Sequence, residues 1–420
     1  MKTIWLFIFI FIFFTTSVYS QEQAPDSGQV LPEIHGYLFH TLAASDQYMI
    51  WVEDPAPGEN PSVMGFNFST GSREQLSSNE FLNNYKGSQV RDHPSISGNF
   101  VVWEDNREIH LYNLSNHTEV PVTATFTDER IHDLRWNFYP EIDGDSVVWA
   151  EQPLKINQWK RQIILYNITT GVRQKIFPTD YDQSHPDISG NYIVWEDYRN
   201  GPNDRILCLF DRSTGNVSVI SSEGQPLEPK VDGHTIVWTY FGTGMFRAAM
   251  YDIVSSTTRD ISPNSFSNQD SPMISGNRVI WLQSQISRVD SNEKSVLQLI
   301  DLSNNEIRQL GEPDPDIMDP VIHGDRIVYG RLSKEVNATG RNSQNLYNLL
   351  PYSVVLHDST NIASPAPTSK VPAGNNRKEA VDNSTIVSRQ PTQSPGFGWM
   401  AGFFALIAIA VVFVRRNMLH

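Results

Sequence analysis

Pro186-Asp187-Ile188-Ser189-Gly190-Asn191-Tyr192-Ile193-Val194-Trp195 decides the fold, because much of the chain is a set of copies of it. The frame P-x-[IV]-x-G-x-x-[VI]-[VI]-W recurs over 94–103, 140–149, 229–238 and 272–281, and a copy at 320–329 ends in Tyr329 instead of Trp. A looser first copy, 42–51, lacks the Pro and Gly but keeps Met49-Ile50-Trp51. The closing aromatics stand at 51, 103, 149, 195, 238, 281 and 329, so the period runs from 43 to 52 residues. A period of this size marks a repeat architecture.

Each unit reads as four short strands. Pro is tolerated at the first residue of a strand, where it owes no ladder donor. Gly190-Asn191 supplies the residues that accept positive φ in a tight hairpin. Residues 192–196 are β-branched and aromatic and read as a buried strand. Residues 206–210 form a third strand, 211–215 a turn ending in Gly, and 217–221 a fourth strand. No sustained 3.6-residue period appears in the mature chain, so the class is all-β. Four antiparallel strands cannot bury both faces alone, and neighbouring units must stack. A closed ring, a β-propeller, does this with only short, protected edges. Seven copies predict seven four-stranded antiparallel blades. Gln29-Val30-Leu31 resembles a fourth strand and is expected to complete the last blade, closing the ring at the two chain ends.

The frame P-x-I-S-G-x-x-V-V-W-E-D-x-R, followed by L-Y-N/D-L-S-T-G, resembles the TolB-like propeller repeats of archaeal surface proteins, over about 42–358. The resemblance implies the fold, and propellers of that family host unrelated activities.

The flanking segments predict a surface protein. Residues 1–20 read as a secretory signal peptide, with Lys2, an apolar run over 4–14 and the small-residue pattern Val18-Tyr19-Ser20. The propeller occupies 21–358. Residues 359–394 are rich in Ser, Thr, Pro and Asn and read as a stalk. Residues 395–420 hold Pro395-Gly396-Phe397-Gly398, an apolar run over 399–414 and Arg415-Arg416. The run is near the lower limit for a membrane helix, and the arginines place the C-terminus inside. This order resembles the PGF-CTERM sorting signal. That resemblance implies an archaeosortase-type processing enzyme as partner and a lipid anchor replacing the tail. An ordinary stop-transfer helix leaves the protein on the same surface, extracellular and membrane-anchored at its C-terminus.

A formal charge of −15 argues against a nucleic-acid partner. The single cysteine, Cys208, excludes an internal disulfide framework and lies in an apolar strand, as a buried small hydrophobe would.

If the first strand of each blade runs down the channel, the connections from strand two to three and from blade to blade share one face. The longer insertions fall there, and variable loops on one face of a repeat array often mark its binding side. The residues preceding each Pro, His93, Tyr139, His185, Glu228, Ser271 and Asp319, ring the channel mouth on that face and are the candidate ligand-binding set. Two His, a Glu and an Asp are metal-ligand types, but they come from separate blades around a wide mouth. Polar residues at a solvated entrance are the favoured reading, and no metal or cofactor is expected. Glu104-Asp105-Asn106-Arg107 and Glu196-Asp197-Tyr198-Arg199 recur as a repeat feature and read as a turn-stabilising Asp–Arg contact, not as catalytic carboxylates. No catalytic residue is assigned, since no nucleophile elbow, zincin, P-loop or Cys-rich spacing is present.

On the opposite face Asn67, Asn113, Asn116, Asn167 and Asn216 lie in N-x-S/T sequons near the strand three-to-four turns, with Asn337 and Asn383 elsewhere. They are candidate glycan acceptors, although the same residues are ordinary turn chemistry. The stalk leaves from this face, so the looped face is expected to point away from the membrane. The leading expectation is a displayed propeller that binds protein or glycan, or forms part of the envelope. The alternative is an extracellular polysaccharide- or peptide-cleaving enzyme with its site at the channel mouth.

Overall fold

In the computed structural model the described residues are 29–30, 34–36, 42–53, 60–78, 91–123, 135–153, 160–221, 223–242, 244–261, 268–286, 293–314, 317–332 and 350–358. They are all β. Every frame copy forms the first two strands of an antiparallel sheet, and in all but the last sheet the strands follow one another in chain order. Blade 1 is Leu42–Ala44, Tyr48–Glu53, Ser62–Asn67 and Arg73–Gln75. Blade 2 is Arg91–Ser97, Phe100–Asp105, Glu108–Asn113 and Thr118–Pro121, and blade 3 is Arg135–Asp143, Ser146–Pro153, Gln162–Asn167 and Arg173–Lys175. Blade 4 is Gln183–Ser189, Tyr192–Asp197, Ile206–Asp211 and Asn216–Ser221. Blade 5 is Leu227–Asp232, Thr235–Gly242, Met245–Asp252 and Thr257–Asp260, and blade 6 is Gln269–Ser275, Arg278–Ile286, Glu293–Asp301 and Glu306–Asp314.

The expected seven four-stranded blades are corrected here. Among the described residues six blades have four strands, and the remaining sheet is a composite of five. It comprises Ile317–His323, Arg326–Leu332 and Leu350–Asp358, with both Gln29–Val30 and Ile34–Gly36 paired antiparallel to the last of these. The N-terminal closure thus uses two short strands where one was expected. Pro32, which has no N–H to give a ladder, stands between them in the sequence. The first strands pack on one another in order, and Ile317–His323 packs back on Leu42–Ala44 to complete the circle.

The repeated aromatic explains why the sheets stack. Trp103, Trp149, Trp195, Trp238 and Trp281 each belong to an apolar cluster shared with the preceding blade, as in the packing of Trp195 with Val148, Ala150, Ile163 and Leu165. Tyr329 fills the same role against blade 6, and Trp51 joins Val321 and Val328 across the closing seam. The six Trp are at most 1 % exposed. The core is therefore a set of radial layers, and its main stabilisation is apolar area hidden between sheets.

Polar bonds fix the angle between blades. The residue before each hairpin Gly accepts from the N–H of the next blade's Gly. The pairs are Ser97 with Gly144 at 3.0 Å, Asp143 with Gly190 at 2.6 Å, Ser189 with Gly233 at 3.1 Å, Asp232 with Gly276 at 2.6 Å and Ser275 with Gly324 at 2.9 Å. These glycines have φ between 53° and 58°, a conformation that a side chain would strain. The Ser or Asp of the frame is thus a seam residue as well as a turn residue.

Residues 1–28 and 359–420, which carry the expected signal peptide, stalk and sorting segment, lie outside the described residues, as do Leu31, Asn337 and Asn383. Among the described residues no helix is long and apolar enough to cross a membrane.

Candidate functional site: the channel mouth

The six pre-proline residues share one backbone state. His93, Tyr139, His185, Glu228, Ser271 and Asp319 have φ of 50°, 56°, 47°, 48°, 50° and 52°. Each sits at the register shift of its first strand, between Asp92 and Ser95 in blade 2 and at the equivalent step in the others. A bulge inserts one residue and re-aims its side chain, and positive φ on a non-glycine costs on the order of 1–3 kcal/mol. The repeated outcome is a ring. All six residues line one cavity of about 100 Å³, together with Leu42, Glu141, Lys230, Met273 and Val321.

The bulge frees a backbone N–H, and two devices satisfy it. In blades 2 and 6 the preceding aspartate accepts it, Asp92 from His93 at 2.8 Å and Asp270 from Ser271 at 2.8 Å. In blades 3 and 5 the acceptor is a glutamate of the preceding blade, Glu104 for Tyr139 and Glu196 for Glu228 at 2.8 Å. At the closing seam Asp319 Oδ2 accepts from the N–H of Leu42 at 3.0 Å. The Glu of the Glu-Asp-x-Arg stretch is therefore a structural acceptor beneath the mouth. The expected Asp–Arg contact holds in blade 4, where Arg199 Nε lies 2.8 Å from Asp197 Oδ1. In blade 2 Arg107 instead reaches Glu104 at 3.3 Å, and Asp105 pairs with Arg91 at 2.8 Å.

Three rings stack across blades 2, 3 and 4. His93 meets Tyr139 edge-on at 4.8 Å, and Tyr139 stacks on His185 at 3.9 Å. Phe138 and Trp136 extend this row outward, at 5.9 Å and 6.5 Å, with the Arg107 guanidinium over both rings. Tyr139 stands between the two imidazoles, so they form no joint metal site. Each imidazole instead leans on carboxylates, His185 Nδ1 on buried Glu196 at 3.4 Å and His93 Nδ1 on half-buried Asp92 at 3.4 Å and buried Glu104 at 4.0 Å.

The two glutamates titrate in opposite senses. Burial pushes Glu104 up to about 7, only partly offset by Arg107. Burial also raises Asp92 well above the usual carboxylate range, and the neighbouring Glu104 adds to this. For Glu196 burial is outweighed by His185, Arg205 and the Glu228 N–H, which hold it well below the usual range. Tyr198 donates to the same carboxylate at 2.6 Å.

The Glu104 pKa is raised on folding, so its contribution to stability is complete below its ordinary value of 4.5 and is lost as pH rises through about 7. Glu104→Gln keeps an acceptor for the Tyr139 N–H. It is expected to leave stability nearly unchanged at pH 4.5 and to raise it by about 1–3 kcal/mol at pH 8. Urea denaturation at the two pH values checks this, and an equal effect at both would refute the assignment.

Deeper in the channel, Glu141 of blade 3 pairs with Lys230 of blade 5 across blade 4. Both are half-buried, and Asp187 between their blades accepts from the Val231 N–H at 2.6 Å. Burial raises Asp187 above the usual carboxylate range despite Lys230, and Glu141 adds to the rise. Sequence reasoning missed Glu141 and Lys230. Both sit two residues past the bulge, a spacing that Met273 and Val321 share.

On the opposite face Asn67, Asn113 and Asn167 close the strand three-to-four turns, accepting from Ser69 at 2.9 Å, Ser115 at 2.9 Å and Thr170 at 2.8 Å. Asp211, Asp252 and Asp301 make the same bond in blades 4 to 6. Asn116 and Asn216 are exposed in these turns. Cys208 is fully buried, its thiol pushed up to about 12 by burial.

No family model matches the chain, and no curated protein matches it. Among solved structures, the β-propeller domain of the Trilobed protease from Pyrococcus furiosus matches with a TM-score of 0.53 and 11 % identity, covering 79 % of this chain and 99 % of that one. The fold is a β-propeller. Oligogalacturonate lyase from Vibrio parahaemolyticus matches with a TM-score of 0.53 and 14 % identity over 79 % of this chain and 95 % of that one. A structure described as a putative TolB from Agrobacterium tumefaciens matches at 0.43 and 15 % identity over 60 % and 88 %. At these identities the likeness is one of fold, and the two matches at 0.53 agree with the β-propeller expected from the repeats. The Pyrococcus propeller is described as having an open velcro topology, whereas here N-terminal strands pair within the last sheet.

Proposed function

We propose that this propeller is a surface-displayed binding module whose channel mouth receives a projecting group of a protein or glycan ligand. The observation that carries this is the mouth itself. Six residues held in a strained backbone state converge on a cavity of about 100 Å³. Small-molecule sites occupy about 300–1,000 Å³, well above this volume. Such a space suits the tip of a larger ligand. Its lining offers three carboxylates, a lysine, a serine hydroxyl, two imidazoles and an aromatic face, groups that fix orientation by hydrogen bonding and stacking. The chain ends supply the display, with the segment over 395–420, or a lipid replacing it after archaeosortase-type processing, as the membrane attachment.

The test is a screen of the full-length chain against protein and glycan arrays. Tyr139→Ala and Glu228→Ala are expected to weaken a captured ligand at least tenfold, while Ser303→Ala on the far face leaves it unchanged. Equal binding by all three would remove the mouth from the account.

The opposite titration of Glu104 and Glu196 favours a second reading. Paired groups whose surroundings separate their pKa values are the raw material of acid–base catalysis, and here they flank Tyr139 through His93 and His185. An extracellular polysaccharide- or peptide-cleaving enzyme would use that pair. Turnover of a glycan or peptide library, abolished by His185→Ala, would replace the binding module with this reading.

A further inference from the structure

We propose that blade 2 holds a divalent transition-metal ion of the zinc type, bound by His110, Glu119 and Asp105 at its junction with blade 1. The site is separate from the channel mouth and does not depend on the function proposed for it. One ligand atom from each residue lies within 4.8 Å of the others. The side chains come from three neighbouring strands and are 2 %, 5 % and 4 % exposed. His110 Nδ1 is 2.6 Å from Glu119 Oε1, and Nε2 is 3.8 Å from Glu108 Oε2.

Three observations set this group apart from an ordinary ion-pair cluster. The first is departure from the repeat. The residue paired with the repeat Trp is Met64, Ile164, Cys208, Ala249 and Gln298 in blades 1, 3, 4, 5 and 6, and only blade 2 places an imidazole there. Packing the seam does not ask for it. The second is charge. His110 lies among three carboxylates, Asp105, Glu108 and Glu119, with Arg91 on Asp105 at 2.8 Å, and an imidazole gathered with carboxylates is a ligand set for a divalent cation. The third is access. Glu119 lines a cavity of about 310 Å³ between the outer strands of blades 1 and 2, with Tyr112, His117 and Ser77, so an ion has a route to an otherwise buried group.

One imidazole nitrogen with carboxylate oxygens suits zinc and its neighbours, while calcium and magnesium prefer oxygen alone. Binding requires the ring nitrogen to be unprotonated, so metal uptake releases any proton held there. Glu108 then serves as an outer partner for the ring, a role whose loss typically weakens metal sites by about 10–100-fold.

The full-length chain, stripped with chelator and incubated with zinc, is expected to retain one ion per chain after desalting. His110→Gln and Glu119→Gln should bind at least tenfold more weakly, and His234→Gln and His323→Gln, in blades remote from the site, should bind as the parent does. X-ray absorption at the zinc edge on the unmodified chain should show one imidazole among nitrogen and oxygen ligands at about 2.0–2.1 Å. That reading stands even if a variant fails to fold. Failure to retain zinc, full retention by His110→Gln, or two or more imidazoles on the ion would each overturn the site.

Discussion

Replacing Arg91 by Ala is expected to destabilise the propeller by about 3–5 kcal/mol, the cost of leaving a buried charge without its partner. The Arg91 side chain is wholly buried. It donates to Asp105 Oδ2 at 2.8 Å, to the Pro61 carbonyl at 2.8 Å, to Ser77 Oγ at 2.7 Å and to the Ser78 carbonyl at 2.8 Å. Three of these acceptors belong to the blade 1 side of the seam, so one guanidinium ties blade 2 to its neighbour and neutralises Asp105. Its loss orphans the carboxylate and two carbonyls where water has little access. Adding Asp105→Asn to Arg91→Ala should recover part of the deficit, because the uncompensated charge goes with it. Arg73→Ala is the control. Its partner Glu53 and its own side chain are far more exposed, and exposed pairs contribute about 0–1 kcal/mol. Denaturant midpoints at constant m-value order the three variants, and an Arg91 effect no larger than that of Arg73 would contradict the seam account.

The same seam shows what the sequence could reveal. The frame around Trp195 was readable because each element answers a local need. Pro starts a strand, Gly-Asn reverses it, and Trp fills the space between sheets. The channel-mouth residues were readable for a related reason, since His93, Tyr139, His185, Glu228, Ser271 and Asp319 hold one offset from an obvious marker. What surrounds them was not. Glu141, Lys230, Met273 and Val321 also line the cavity, but they occupy the position after the Pro, which the frame leaves open to any residue, so no marker singles them out. Nor did the frame reveal that its Ser or Asp caps a glycine in the following blade, as Ser189 caps Gly233, since that bond spans 44 residues. His110 and Glu119 were invisible for another reason. Third and fourth strands carry no marker comparable to Trp, so the position opposite Trp103 stands out only once the pairing is known. The composite last sheet is divided, because Gln29–Val30 was expected from its likeness to a fourth strand, whereas Ile34–Gly36 is too short to carry a pattern of its own.

Trp195→Ala is expected to cost about 3–5 kcal/mol, within the range for truncating a fully buried large aromatic. Trp195 is packed by blade 3 side chains on one side and by Ile206 and Cys208 of its own sheet on the other, and neither can collapse into the gap without breaking register. The milder substitution discriminates more finely. Among the described residues the indole N–H of Trp195 meets no acceptor, whereas that of Trp149 donates to Asn137 Oδ1 at 2.9 Å. Asn137 is itself buried and uses its amide to donate to the Arg107 carbonyl at 2.9 Å. Trp195→Phe therefore loses area alone, while Trp149→Phe also strands a buried carbonyl oxygen, a further cost of about 1–3 kcal/mol. The expected order of stability loss is Trp195→Phe, then Trp149→Phe, with Trp195→Ala at or beyond the second. Thermal unfolding of the three variants tests it. Equal losses for the two Phe variants would mean that the Asn137 bond contributes nothing net and that the seams are held by apolar area alone.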